Sequence, residues 1–205
     1  MLQIGEYQRI ARKIAPSIPV YHVAGNHDVG NAPTADSLSE YRKSFGPDYY
    51  SFRAGPIYGI VLDSTLIHRP EGALDAYQKQ DAWLRKELEA AKSSGSKQIV
   101  IFQHHPLFLK NAQEADQYEN IPLVRRGALL DLFRSYGIRH VFAGHTHKNV
   151  VVQDEALEMV ASAPVGKPLG KDGSGIQIAT LSDTGVVHRY YDFGMIPDKL
   201  PASQK

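Results

Sequence analysis

Asn26 and His27, His104, and His145 with His147 are side chains of the types that metal chemistry uses, and they fall in three separated stretches. Neutral imidazole is the commonest side-chain metal ligand. An asparagine carbonyl adds an oxygen donor without adding charge. In Gly144-His145-Thr146-His147, one residue separates the two imidazoles. On an extended backbone, residues two apart point to the same side, so both rings are expected to face one small volume. A lone His-x-His is weak evidence, since such a match is more often a pair of solvated loop histidines. Here it gains weight because Gly25-Asn26-His27-Asp28 and His104-His105-Pro106 also follow apolar runs.

Each stretch must be delivered by an element, and the hydrophobic pattern predicts a strand before all three. Residues 18–24 read as a buried strand with Pro19 near its start. Residues 98–103 form a continuous apolar run, the pattern of a strand buried on both faces, and residues 140–143 form a short buried strand ended by Gly144. Ligands of open α/β sheets gather beyond the carboxyl ends of strands. Three such ends rich in nitrogen and oxygen donors therefore predict one shared site.

The remaining chain supplies the layers. Ile4, Tyr7, Ile10, Ala11 and Ile14 recur at helical spacing, and Thr34 is a suitable N-cap for a helix carrying Leu38, Tyr41 and Phe45. Helices are also expected at about 75–91 and around Leu129, Leu130, Phe133 and Tyr136, with a hairpin turned at Gly55-Pro56, its second strand closed by Asp63-Ser64, and then a loop through His68-Arg69-Pro70. Lys110 to Pro122 has no clear period and is expected to be a long surface loop beside the site. Four later stretches, 149–153, 157–163, 175–181 and 186–191, predict antiparallel strands of a second sheet. The expected architecture is α/β, two sheets face to face with helices outside. Residues 1–194 are expected to form a single domain and 195–205 a frayed tail.

Bulk properties exclude several classes. The net charge of +1 leaves no electrostatic case for a nucleic acid or an anionic membrane. With no cysteine, disulfides, zinc–thiolate sites and thiol nucleophiles are unavailable. No apolar run approaches the ~18 residues of a membrane span. His22, His68, His140 and His188 are expected to be structural or solvated. His105 is expected to point away from His104. Asp63 stands at a strand end behind the site, and Lys167 and Lys171 lie in a solvated loop.

The order Gly-Asn-His-Asp, then His-His-Pro, then Gly-His-Thr-His resembles the calcineurin-like metallophosphoesterase superfamily. Residues 23–31, 100–104 and 187–191 resemble more narrowly its calcineurin-like phosphoesterase domain-containing protein 1 type. The resemblance implies a four-layer α/β/β/α metallophosphoesterase sandwich and two divalent metal ions, manganese, iron or zinc. It implies that Asn26, His104 and His145 are ligands of one metal and His147 of the other. His27 matches the residue that protonates the leaving oxygen. Two ions about 3.5–4 Å apart can clamp a phosphoryl group and activate water. The implied activity is hydrolysis of a phosphomonoester, a small molecule or a phosphoserine/threonine protein. A phosphodiesterase and a non-catalytic scaffold of the same fold are the alternatives.

The superfamily's Asp-x-His and Gly-Asp motifs do not occur before Asn26. The chain is therefore expected to be the C-terminal part of the domain, lacking its first strand or strands. Without the bridging aspartate, it is expected to hold at most one metal and to be inactive alone. Any targeting peptide would lie in the part not present.

Overall fold

The computed structural model describes residues 2–199. Met1 and residues 200–205, the end of the expected tail, lie outside the described residues. Helix α1 (Leu2–Ala11) opens the chain, followed after an irregular stretch by the single turn α2 (Asn26–Val29) and α3 (Ala35–Phe45). Thr34 caps α3 by accepting from the Ser37 amide, as its sequence signal predicts. The hairpin β1 (Tyr50–Ala54) and β2 (Ile57–Val61) follows, then α4 (Ser64–His68) and α5 (Leu74–Ser93). Strand β3 (Gln98–Phe102), helix α6 (Leu123–Ser135) and strand β4 (His140–Ala143) deliver the two histidine stretches. Strands β5 (Val150–Asp154), β6 (Leu157–Ala161), β7 (Gly175–Leu181) and β8 (Val186–Asp192) complete the fold. Among the described residues, no helix is long and apolar enough to cross a membrane.

The main sheet has six strands in the order β1-β2-β3-β4-β6-β5. Strands β2, β3, β4 and β6 run parallel, with β1 and β5 antiparallel at the edges. Register aligns Ile60, Ile101, Val141, Met159 and Val152 in one row across five strands. The inner members of that row pack against Leu84, Leu88 and Ala91 of α5 and Leu129, Leu130 and Phe133 of α6. Positions 84, 88 and 91 are helical spacing turned into one buried stripe. Each fully buried aliphatic or aromatic side chain contributes about 1.5–3 kcal/mol.

The other face of the sheet carries Phe52, Phe102 and Phe142, each ring 5.7 Å from the next. The two-stranded sheet β7–β8 packs over this face, with His188 edge-on to Phe142 at 5.6 Å. His188 Nε2 also meets Glu158 Oε2 of β6 at 2.8 Å. A mixed α/β architecture is thus as expected, but the second sheet is smaller. Strands β5 and β6 join the main sheet, because the β4–β6 connection, with β5 inside it, is long enough to bring β6 back parallel to β4.

Two local expectations are corrected. Residues 18–24 do not form a strand. Ile18, Val20 and Tyr21 are 58%, 41% and 41% exposed, and only the end of the run, Ala24, is buried. Among the described residues no strand pairs with it. Side-chain contacts hold most of it: Tyr21 stacks on Phe52 at 3.8 Å, the Tyr50 hydroxyl donates to the His22 carbonyl, and His22 Nε2 meets the Tyr7 hydroxyl at 2.9 Å. Residues 64–68, expected as loop, form α4, because the Asp63 carboxylate caps it at the Thr65 amide. Residues 110–122 form the expected loop beside the site, without helix or strand and mostly exposed, and buried Ala112, Glu114, Asn120 and Ile121 anchor it.

Candidate metal centre

Strands β3 and β4 run side by side, so the residues after them emerge at one sheet edge. His104 follows β3, and the Gly144 amide donates to its carbonyl at 3.0 Å, tying the two strand ends together. His145 then turns its ring back toward His104. Asn26 reaches the same place from the first residue of α2, beyond the unpaired stretch 18–24.

The three side chains converge. His104 Nε2 lies 2.8 Å from Asn26 Oδ1 and 3.1 Å from His145 Nδ1. The His104 ring rests on Gly25, where an added Cβ would come within 3.0 Å of the imidazole. Only a residue without a side chain lets the ring approach this closely.

His145 and His147 do not converge by the extended geometry expected of them. Both have left-handed backbones, with φ of 66° and 56°. Non-glycine residues adopt this region rarely and at a cost, which the surrounding bonds must offset. Thr146 supplies some of them: its amide donates to the Gly144 carbonyl and its hydroxyl to that of Lys148. The turn aims the His145 ring at His104. It sends His147 Nδ1 to the Lys167 carbonyl at 2.7 Å, outside the tight cluster. His27, next to Asn26 on α2, is exposed. A charge on His27 or His147 would lower the His104 and His145 imidazoles.

His105 lies in the cluster. It is 2% exposed, its ring centroid is 4.3 Å from that of His145, and the ring nitrogens of His104, His105 and His145 lie within 4.8 Å of one another. Its Nδ1 meets the Ser64 hydroxyl at 3.1 Å. That hydroxyl oxygen also accepts from the His104 and His105 amides at 3.1 and 2.8 Å. One buried serine therefore fixes the backbone that presents His104. Behind it, Asp63 is fully buried, and desolvation pushes its carboxyl up to about 7. Asp63 therefore supports the α4 turn that places Ser64 and lies one layer back.

Electrostatics favour the neutral form of the three clustered rings. Burial first, then the charges of His145, His27 and His147, push the His104 imidazole down to about 3. Burial also lowers His145 and His105. A neutral imidazole keeps one lone pair free, which is what a divalent cation needs.

Tyr118, in the aperiodic stretch 110–122, also belongs to the site. Its hydroxyl oxygen lies 2.9 Å from Asn26 Nδ2 and 3.3 Å from Asn31 Oδ1, and its carbonyl oxygen lies 3.2 Å from His145 Nε2. Nothing in the local pattern marks Tyr118. Asn31 and Ser64 stood close to recognised features, five residues beyond Asn26 and just past the end of β2.

Residues 3–149 match the family described as calcineurin-like phosphoesterase. The chain is 39% identical over 189 residues to the serine/threonine-protein phosphatase CPPED1 of Rattus norvegicus, covering 92% of this chain and 61% of the relative. To the protein of that name from Homo sapiens it is 35% identical over 198 residues, 96% of this chain and 63% of the relative. The chain thus spans about three-fifths of the length of the curated relatives it matches. Among solved structures, GAP50, the anchor in the inner membrane complex of Plasmodium, shares the fold with a TM-score of 0.56 at 16% identity, covering 73% of this chain and 52% of that one. The family matched through α1 to the Gly-His-Thr-His turn, over more than half of the chain, is decisive: this chain belongs to the calcineurin-like phosphoesterase family.

Proposed function

We propose that this chain carries the histidine-rich half of the active site of a metal-dependent phosphoric ester hydrolase. The proposed substrate is a phosphomonoester, in keeping with relatives named serine/threonine-protein phosphatases. The convergence of Asn26 Oδ1, His104 Nε2 and His145 Nδ1 on one point carries this reading. In the metal-free protein the His104 N–H sits between two acceptors. With that proton carried on Nδ1 instead of Nε2, His104 joins Asn26 and His145 as three neutral donors around a single position, a set that suits manganese, iron or zinc. The family implies divalent metals, and a cation bound there would polarise the phosphoryl group and lower the pKa of attacking water.

The other roles follow from position. His27, exposed beside Asn26, is proposed to protonate the leaving oxygen, since an imidazolium is a suitable acid near neutral pH. His147 is proposed as a ligand of a second metal through Nε2, with Nδ1 committed to the Lys167 carbonyl. The one cluster of potential ligands among the described residues is made of histidines and holds no carboxylate, so the chain is proposed to bind one metal rather than two. Residues 1–194 are proposed to act as one unit around this centre. In support, Glu158–His188 and the Gln98 side chain on the Ser182 carbonyl join the two sheets.

Calorimetric titration with Mn2+ tests the site. One Mn2+ per chain is expected, lost in His145→Ala and retained in His27→Ala. Two tight sites, or an unaffected His145→Ala, would refute the assignment. Joined to an Asp-x-His and Gly-Asp segment from a relative, the chain is expected to hydrolyse p-nitrophenyl phosphate in preference to its bis ester. His27→Ala should then lower turnover about a hundred- to ten-thousand-fold without releasing metal.

A further inference from the structure

We propose that Tyr118 is the positioning residue of the metal centre: its carbonyl and its hydroxyl together decide which atoms of His145 and Asn26 face His104. The proposal rests on the metal-site reading above and adds to it the group that aims two of the three donors.

The polarity of the cluster starts from the Tyr118 carbonyl. A carbonyl oxygen only accepts, so the 3.2 Å contact to His145 Nε2 requires the proton on Nε2. A neutral imidazole carries one N–H, which leaves the His145 Nδ1 lone pair facing His104 Nε2 at 3.1 Å. His104 Nε2 must then be the donor, and it also faces Asn26 at 2.8 Å. The atom of Asn26 turned to it must accept, so it is Oδ1. The amide nitrogen is left pointing outward, where Nδ2 meets Asn31 Oδ1 at 2.8 Å and the Tyr118 hydroxyl at 2.9 Å. The Tyr118 hydroxyl passes its own proton to Asn31 Oδ1. The circuit leaves Tyr118 by its carbonyl and returns to it by its hydroxyl.

This closure matters because an amide has nearly the same shape in either orientation, and only its neighbours choose between them. A flipped Asn26 would turn an N–H toward the cation position and remove one donor. The neighbours of a metal ligand commonly set its orientation, and their loss costs about 10–100-fold in affinity.

Tyr118 can hold this place although it is 54% exposed, because the chain on both sides of it is fixed. Asn120, fully buried, accepts from the Gln117 amide and donates to Glu114 Oε1 and the Ala115 carbonyl. Ile121, also fully buried, donates its amide to Pro106. Arg126, buried under the loop, donates to the Leu107 and Glu114 carbonyls.

A double-mutant cycle on the 205-residue chain, read by calorimetry with Mn2+ alone, tests the proposal. Tyr118→Phe keeps the carbonyl and the ring and removes only the hydroxyl. It is expected to weaken Mn2+ binding about tenfold. In an Asn26→Asp background the side chain has no donor end to misplace, so adding Tyr118→Phe should change affinity less than twofold. An unchanged affinity in Tyr118→Phe alone, or a tenfold loss that persists beside Asp at position 26, overturns the proposal. Nitrogen-15 spectra of the metal-free chain provide a second arm. His145 is expected as the Nε2–H tautomer in both wild type and Tyr118→Phe. The Asn26 carboxamide protons should exchange faster in Tyr118→Phe. A His145 Nδ1–H tautomer, or unchanged Asn26 exchange, refutes the role of Tyr118. If wild type binds no Mn2+, the metal-site reading fails, and the spectra alone still decide whether Tyr118 orients these side chains.

Discussion

Residues 98–104 and residues 18–26 do the same job by different means. Each is an apolar run that ends in a donor of the cluster, His104 in one case and Asn26 in the other. Strand β3 lies between β2 and β4, is bonded to both, and buries Val100 and Ile101 completely. Residues 18–24 have no neighbouring strand among the described residues and expose Ile18, Val20 and Tyr21. One ligand is thus delivered by a ladder, the other by a few side-chain contacts and a one-turn helix. The difference shows that an apolar, extended sequence becomes a strand only where neighbours satisfy its backbone on both sides.

Truncating the core of β3 should break this contrast most strongly. Ile101→Ala removes a fully buried side chain from the row that packs under α5 and α6. It is expected to cost about 2–5 kcal/mol in urea unfolding. A loss under 1 kcal/mol would mean that β3 is no better held than residues 18–24. A smaller effect is expected from Gly25→Ala, where the unpaired segment touches the clamped one. Gly25 has φ −116° and ψ 167°, which any residue adopts, so the added methyl acts only by its contact with the His104 ring. Overpacking of this kind costs about 1–3 kcal/mol. The lower end is expected, with a shift of the His104 ring signals in carbon-13 spectra. Unmoved His104 signals would show that Asn26 and His104 are not in register as described.

What the chain's pattern could and could not show follows the same contrast. Helices α1, α3, α5 and α6, the hairpin and β3 to β8 were legible because local periodicity and turn residues specify them. The family motifs marked Asn26, His104 and His145, which the fold brings together. The fate of residues 18–24 was not legible, since pairing depends on a partner strand that no local pattern reports. The membership of β5 and β6 in the main sheet depends in the same way on how a connection crosses over. His145 and His147 were read as alternating on an extended chain, and the left-handed turn that actually aims them leaves no trace in residue types alone. Tyr118 was hidden because its place comes from buried Asn120 and Ile121, polar and apolar anchors without a period.

The smallest effect is the sharpest test of the comparison. Val20 is an apolar residue in the middle of a run as strand-like as β3, yet it is 41% exposed. Because the segment is held by Tyr21, His22 and Ala24 and by the Tyr50 hydroxyl, and not by Val20, Val20→Ala should change stability by no more than about 0.5 kcal/mol. Amide hydrogen exchange should agree. The amides of residues 20–24 have no carbonyl partner among the described residues, so they should exchange by small local openings. Those of Val100 and Ile101 should need nearly global unfolding. Equal protection of the two stretches would mean that a strand pairs with residues 18–24 in solution. Asn26 would then be held as rigidly as His104.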